Sequence, residues 1–159
     1  MRPDYEDFVI RYGGIYEHSS WVAEETCDAA KGLPHDQLAA VFAACVDNAS
    51  REKKLALIRA HPDLAGSAAV AGELTHASTS EQASAGIDQC SAAEFEKFQF
   101  LNSGYKEKFD FPFVMAVRNS DRHLILAAFE TRMQNDPATE FDTAIEEIHK
   151  IARLRLEAL

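Results

Sequence analysis

His61 stands in the run His61-Pro62-Asp63-Leu64-Ala65-Gly66. Histidine has the side chain whose unperturbed pKa lies nearest neutrality, which makes it a natural proton-transfer group. The helical pattern before it should stop near Ala60, because Pro62 pushes its predecessor out of the α region. His61 then sits at a helix exit, where it can equally serve to interact with the helix dipole. A second group is Ser78-Thr79-Ser80-Glu81-Gln82. Ser-x-x-Glu is the capping-box pattern, and the same helix start points N–H groups outward, where they can hold a ligand oxygen; the two readings can coexist. The third is Arg155. Stepping about 100° per residue from Phe141, the residues Ile145, Ile148, Ala152, Arg155, Leu156 and Leu159 fall within about 60° of it. An arginine in an apolar row needs an anionic partner. One of the 26 carboxylates can supply it, the side chain can snorkel to water, or a bound anion can fill the role. Ile151 and Leu154 lie off this row, so the helix is expected to bury more than one side.

Other chemistries find less support. His18, His35, His76, His123 and His149 show neither H-x-x-x-H nor H-E-x-x-H spacing. A His61, His76 and Glu81 metal site can be drawn, but no pair in it has helix-face spacing. No G-x-G-x-x-G, Walker loop or G-x-S-x-G occurs, so the usual nucleotide and serine-hydrolase signatures are missing. Cys27, Cys45 and Cys90 are odd in number and without C-x-x-C, which reads as reduced thiols in a cytoplasmic protein.

The elements that must position these groups are helical. Helices are expected over Asp4–Tyr12, from a Ser19-Ser20 cap to Lys31, and over His35 to about Ala49. A Ser50 cap should open the next, ending near Ala60. The stretch 63–75, rich in Ala and Gly, resists assignment. Further helices are expected over Ser78–Gln89, Ala92–Phe109, Arg122–Asn135 and Pro137–Ala158, with Phe111–Val117 extended because of its early Pro112. No alternating strand run or repeat is present. The expected fold is all-α: a compact single-domain bundle of about seven or eight helices over 1–159, a length that suits one core.

The net charge is −10, and basic residues are scattered among acids, which argues against a nucleic-acid partner. The longest apolar run, Leu38–Val46, has nine residues, short of the about 20 that span a bilayer. The acidic start Asp4-Tyr5-Glu6-Asp7 has no apolar h-region, so neither a membrane nor a secretory role is expected. An anionic ligand must therefore be met by a local positive pocket against an unfavourable global field.

His61–Gly66, Gly72-Glu73-Leu74-Thr75, Ser78–Gln82 and Ala85-Gly86-Ile87-Asp88 occur in order with Leu101-Asn102, Tyr105, Lys108-Phe109, Phe111-Pro112-Phe113, Ala116-Val117, Ile151-Ala152 and Leu154-Arg155-Leu156. Together these motifs resemble the 2-oxo-4-hydroxy-4-carboxy-5-ureidoimidazoline (OHCU) decarboxylases of urate breakdown, from Ser50 onward. The first 50 residues share mainly the helical layout. The resemblance implies an all-α enzyme, commonly a homodimer, with no metal or organic cofactor, whose small-molecule substrate OHCU becomes (S)-allantoin and carbon dioxide. It implies His61 as the catalytic histidine and Glu81 as the catalytic carboxylate. It also implies substrate contacts from Pro62, Ser78, Thr79, Ser80, Gln82 and Arg155, and from Phe113, Val114, Met115, Ala116 and Val117, the last segment largely through backbone. A functional link to a 5-hydroxyisourate hydrolase is a further expectation. Asp110 and Asn119 stand where many members have glycine; Asp and Asn tolerate unusual φ better than most residues.

The chemistry suits those residues. Loss of carbon dioxide leaves an electron pair that flows into an adjacent ring C=N, and a nearby acid must then deliver a proton to one face. A carboxylate beside the imidazole would favour its charged form. Two rival readings use the same residues: a metal-dependent hydrolase of a ureide or cyclic amide, and a helical module that binds a ureide without turnover.

Overall fold

A glycine stop after the first helix turns the chain sharply. In the computed structural model, which describes residues 3–66 and 72–159, helix α1 (Pro3–Tyr12) ends at Gly13. A Cβ at that position would lie 2.5 Å from the Val9 carbonyl oxygen, so only glycine fits. Every regular element among the described residues is helical: eight α-helices and one 3-10 turn. The chain divides into two compact units, Met1–His61 with Ile148–Leu159, and Pro62–Glu147.

The first unit holds α1, α2 (Trp21–Ala30), α3 (His35–Asp47) and α4 (Arg51–Ala60). Helix α2 packs against both α1 and α3, and Phe8 of α1 meets Tyr12 and Phe42 edge-on or tilted. Ser50 caps α4 as its type predicts, accepting from Lys53 N–H at 3.1 Å. The expected Ser19-Ser20 cap does not form. Ser20 has helical angles and no side-chain cap bond, while the Ser19 hydroxyl donates to the Glu17 carbonyl at 2.8 Å.

The second unit holds α5 (His76–Ser84), a 3-10 turn (Ile87–Gln89), α6 (Ala92–Phe109), α7 (Arg122–Arg132) and the first part of α8 (Pro137–Glu157); the last turns of α8 belong to the first unit. Helix α5 opens two residues earlier than the Ser78 pattern suggests, because the Thr75 hydroxyl is the cap and accepts from Ser78 N–H at 3.2 Å. The Ser78/Glu81 capping box is thereby overturned. A capping box does open α6, between Ser91 and Glu94. Tyr105, buried on α6, packs its ring on Phe109, Phe111, Phe113 and Phe129. The extended run between α6 and α7 is bounded by Asp110 (φ 64°) and Asn119 (φ 69°), both left-handed. The glycine-type backbone is thus kept by the two residue types best able to adopt it. Helix α8 buries Phe141, Ile145, Ile148, Ala152, Arg155 and Leu156, and also Ile151, so it does use more than one side; Leu159 is exposed. The 67–71 part of the unassigned stretch lies outside the described residues.

Candidate active site

His61 is the residue after the last turn of α4, with extended backbone angles and its N–H donating to the Ile58 carbonyl at 3.2 Å. The turn forced by Pro62 carries the imidazole inward, leaving it 8% exposed. Among the described residues its Nε2 has no hydrogen-bond partner. Burial pushes the imidazole pKa down from 6.5 to about 4; Glu17 opposes the shift, while Arg155 and His18 add to it. Burial thus outweighs the Glu17 carboxylate, which favours the charged form, and leaves the ring neutral at neutral pH in the free protein. Between those two values the unfolded chain binds more protons here than the folded one, so stability falls as pH drops from 6.5 towards 4. His61→Gln is expected to flatten that dependence by on the order of 3 kcal/mol across the window, read by urea unfolding at stepped pH. Identical curves for the two proteins would place the imidazole in water.

Arg155 belongs to the same unit. Its Nη2 donates to Glu17 Oε2 at 3.2 Å and its Nη1 to the Gly14 carbonyl at 3.2 Å. Both members of the pair are buried. The anionic partner that the apolar row of α8 demands is thus a carboxylate in the turn after α1, a residue that the sequence pattern does not single out.

The remaining residues read from the sequence lie in the second unit. Glu81 and Ser78 are buried on α5, whereas Thr79 and Ser80 are exposed. Gln82 closes the turn after His61-Pro62: its Oε1 accepts from Ala65 N–H at 3.1 Å and its Nε2 donates to the Asp63 carbonyl at 3.3 Å. Gln99 and Asn102 of α6 donate to the Ala65 and Leu64 carbonyls at 2.6 and 2.9 Å. The turn needs these clamps because Ala65 holds φ 52° without being glycine. Thr79 and Gln82 also line a cleft of ≈ 490 Å³ with Leu74, Ile87 and Phe95.

In the extended run, Phe113, Val114 and Val117 are buried, and Met115 and Ala116 half-buried. Its backbone is held from α7 and α8. Arg132 donates to the Val114 carbonyl at 2.7 Å, and Glu147 accepts from Ala116 N–H at 3.1 Å. Arg132 is itself fixed by Glu140 at 2.8 Å and lies 4.3 Å over the Phe113 ring. Among the described residues no three His, Cys, Asp or Glu side chains converge as metal ligands. No described helix is long and apolar enough to cross a membrane.

The family model for OHCU decarboxylase matches residues 2–157. The chain belongs to the OHCU decarboxylase family. A 2-oxo-4-hydroxy-4-carboxy-5-ureidoimidazoline decarboxylase of Haloferax volcanii is 47% identical over 155 residues, covering 98% of this chain and 90% of that one. A uric acid degradation bifunctional protein of Bacillus sp. strain TB-90 is 37% identical, with 96% of this chain matching 30% of its length. Among solved structures, a crystal structure of (S)-allantoin synthase superposes with a TM-score of 0.78 at 37% identity, over 99% of this chain and 50% of that one. The OHCU decarboxylase match begins well before Ser50, so the first 50 residues, where Glu17 lies, are family sequence as well.

Proposed function

We propose that this protein decarboxylates OHCU to (S)-allantoin and carbon dioxide in urate degradation, without metal or organic cofactor. The family membership supports the substrate. The observation that carries the chemistry is the buried His61 imidazole, neutral and with Nε2 unpartnered among the described residues, under the influence of the Glu17–Arg155 pair. A buried imidazole is dry enough to exchange a proton with a reacting carbon and is not tied up in a structural bond.

The bond from the ring carbon to its carboxylate breaks, and carbon dioxide leaves. The electron pair enters the adjacent C=N. This leaves an enol in which the hydroxyl-bearing carbon is double-bonded to the neighbouring, ureido-bearing carbon. As the hydroxyl becomes the carbonyl, its proton passes to the ring nitrogen. His61, having taken a proton from solvent as the anionic substrate arrived, gives it to the ureido-bearing carbon, where a C–H bond forms on one face. One proton is consumed per turnover. A negative ligand beside a neutral imidazole raises its pKa, so the substrate's own carboxylate recruits the acid that the protonation step then uses.

By the family resemblance Glu81 supplies the second carboxylate, and Pro62, Ser78–Gln82, Phe113–Val117 and Arg155 contact substrate. Glu81→Gln is expected to lose turnover by about 100-fold or more with a modest change in melting temperature, since Thr75 rather than this side chain's motif caps α5. Normal turnover per folded molecule would remove Glu81 from the mechanism. The family domain is taken as the whole chain, since the family model runs through both units. Homodimerisation, a cytoplasmic location and a functional link to a 5-hydroxyisourate hydrolase complete the proposal; the bifunctional uric acid degradation relative is compatible with such a link.

The deciding experiment adds enzyme to freshly generated OHCU and follows allantoin handedness by circular dichroism. A single enantiomer, formed faster than the spontaneous racemic background, is expected. Racemic product at the background rate would overturn the proposal.

A further inference from the structure

Glu17 is a buried carboxylate, 2% exposed, in a turn rather than a helix. Its place is heavily specified. Gly13 can carry no side chain, and His18 holds φ 47°. Ser19 Oγ donates to the Glu17 carbonyl at 2.8 Å, and Ser19 N–H to the Tyr16 carbonyl at 3.1 Å. On the other side the Tyr16 hydroxyl bonds His149 Nδ1 at 2.8 Å, and His149 Nε2 bonds Asp47 at 2.9 Å. Left-handed backbone at a histidine and a desolvated carboxylate both cost free energy. The first unit bears both costs and brings Glu17 Oε2 to 3.2 Å from Arg155 Nη2.

We propose that Glu17 is a positioning residue for the His61 reaction: it fixes the Arg155 guanidinium and cancels its charge, so that an anionic ligand brings one proton with it into the cluster. The inference rests on the decarboxylase reading for the identity of the reaction, but its core is a statement about charge. Glu17 and Arg155 together are neutral, and so is His61 in the free protein. Adding a monoanion alone would leave an uncompensated buried charge, whereas adding it with a proton on His61 leaves none. The reaction needs that same proton. Without the Glu17 charge the cluster is already cationic. An anion then binds without a proton, and the imidazole, with Arg155 and His18 unopposed, stays neutral and has nothing to donate.

The test compares wild type, Glu17→Gln and Glu17→Asp. Hydantoin-5-acetate is the stable anionic probe, titrated calorimetrically in buffers of different ionisation enthalpy so that proton uptake is read directly. Wild type is expected to take up about one proton per probe bound at neutral pH. Glu17→Gln should bind the probe as well or better with little uptake. On OHCU its kcat should fall about tenfold for each unit lost from the imidazole pKa, with KM unchanged or lower. Glu17→Asp keeps the charge and should retain uptake with a partial loss of kcat. A Glu17→Gln protein with undiminished uptake and kcat, and only a raised KM or lowered melting temperature, would make Glu17 a scaffold for Arg155 and overturn the proposal. Failure of the probe to bind wild type would do the same. If Glu17→Gln does not fold, a Glu17→Asp protein raised in KM alone has the same meaning. Should wild type not decarboxylate OHCU, the calorimetric arm still reads the charge coupling, so the two failures are told apart.

Discussion

Replacing His61 by asparagine is expected to lower OHCU decarboxylation by about 100- to 10,000-fold while the helical circular dichroism stays that of wild type. The magnitude comes from removing the group that delivers the proton to carbon in the proposed mechanism. Fold integrity should survive because Nε2 makes no hydrogen bond among the described residues, so its loss strands no partner. Asparagine also cannot be forced to hold a buried charge. The variant should therefore show less acid destabilisation than wild type even as it loses turnover, and these opposite movements distinguish a catalytic imidazole from a structural one. A His61→Asn enzyme that still makes one allantoin enantiomer at the wild-type rate would remove His61 from the reaction.

The largest stability effect is expected at Glu140, which is fully buried on α8. Its Oε1 accepts from the Tyr105 hydroxyl at 2.5 Å and from Arg132 Nε at 2.8 Å, and its Oε2 from Asn135 at 3.0 Å. Burial first, and then the hydrogen bond to Glu140, push the Tyr105 hydroxyl pKa well up, so it remains a donor at any ordinary pH. Glu140→Gln leaves the Arg132 guanidinium buried without its countercharge, which costs about 3–5 kcal/mol. For a chain of this length the melting temperature should drop by about 10 °C or more. Tyr105→Phe removes one donor only and should cost about 1–2 kcal/mol. Arg132 also holds the Val114 carbonyl, so Glu140→Gln should expose the amides of the extended run to hydrogen exchange before global unfolding. Equal stability of Glu140→Gln and wild type would mean that water, not the carboxylate, balances Arg132.

Local signals are legible in the sequence where one residue decides the structure. Ser50 caps α4 and Pro62 ends it; of the stripe Phe95, Phe98, Leu101 or Asn102, Tyr105 and Phe109 on α6, all are buried except Phe95, which is exposed. The Ser78 pattern misleads because Thr75, three residues earlier, offers the same hydroxyl and wins the cap. Ser19-Ser20 misleads because its first hydroxyl is claimed by the Glu17 carbonyl. Arg155 advertises that it needs an anion. Which anion is illegible, since Glu17 lies 138 residues away in sequence and no periodicity relates a turn to a distant helix face. The same holds for Arg132 and Glu140, whose spacing of eight gives no hint that both point inward, Glu140 fixing the guanidinium and Arg132 holding the Val114 carbonyl. His61 is visible as a candidate proton carrier, but its protonation state is not, because burial rather than a neighbouring residue type governs it.

The left-handed corners at Asp110 and Asn119 carry a thermodynamic consequence in the denatured chain. Glycine at either corner would roam far more backbone space before folding, and all of that freedom would have to be surrendered to reach the native turn. Side-chain-bearing residues already content in that region start from a narrower ensemble. The strap between them is therefore tightened from the unfolded side, with no added contact in the folded one.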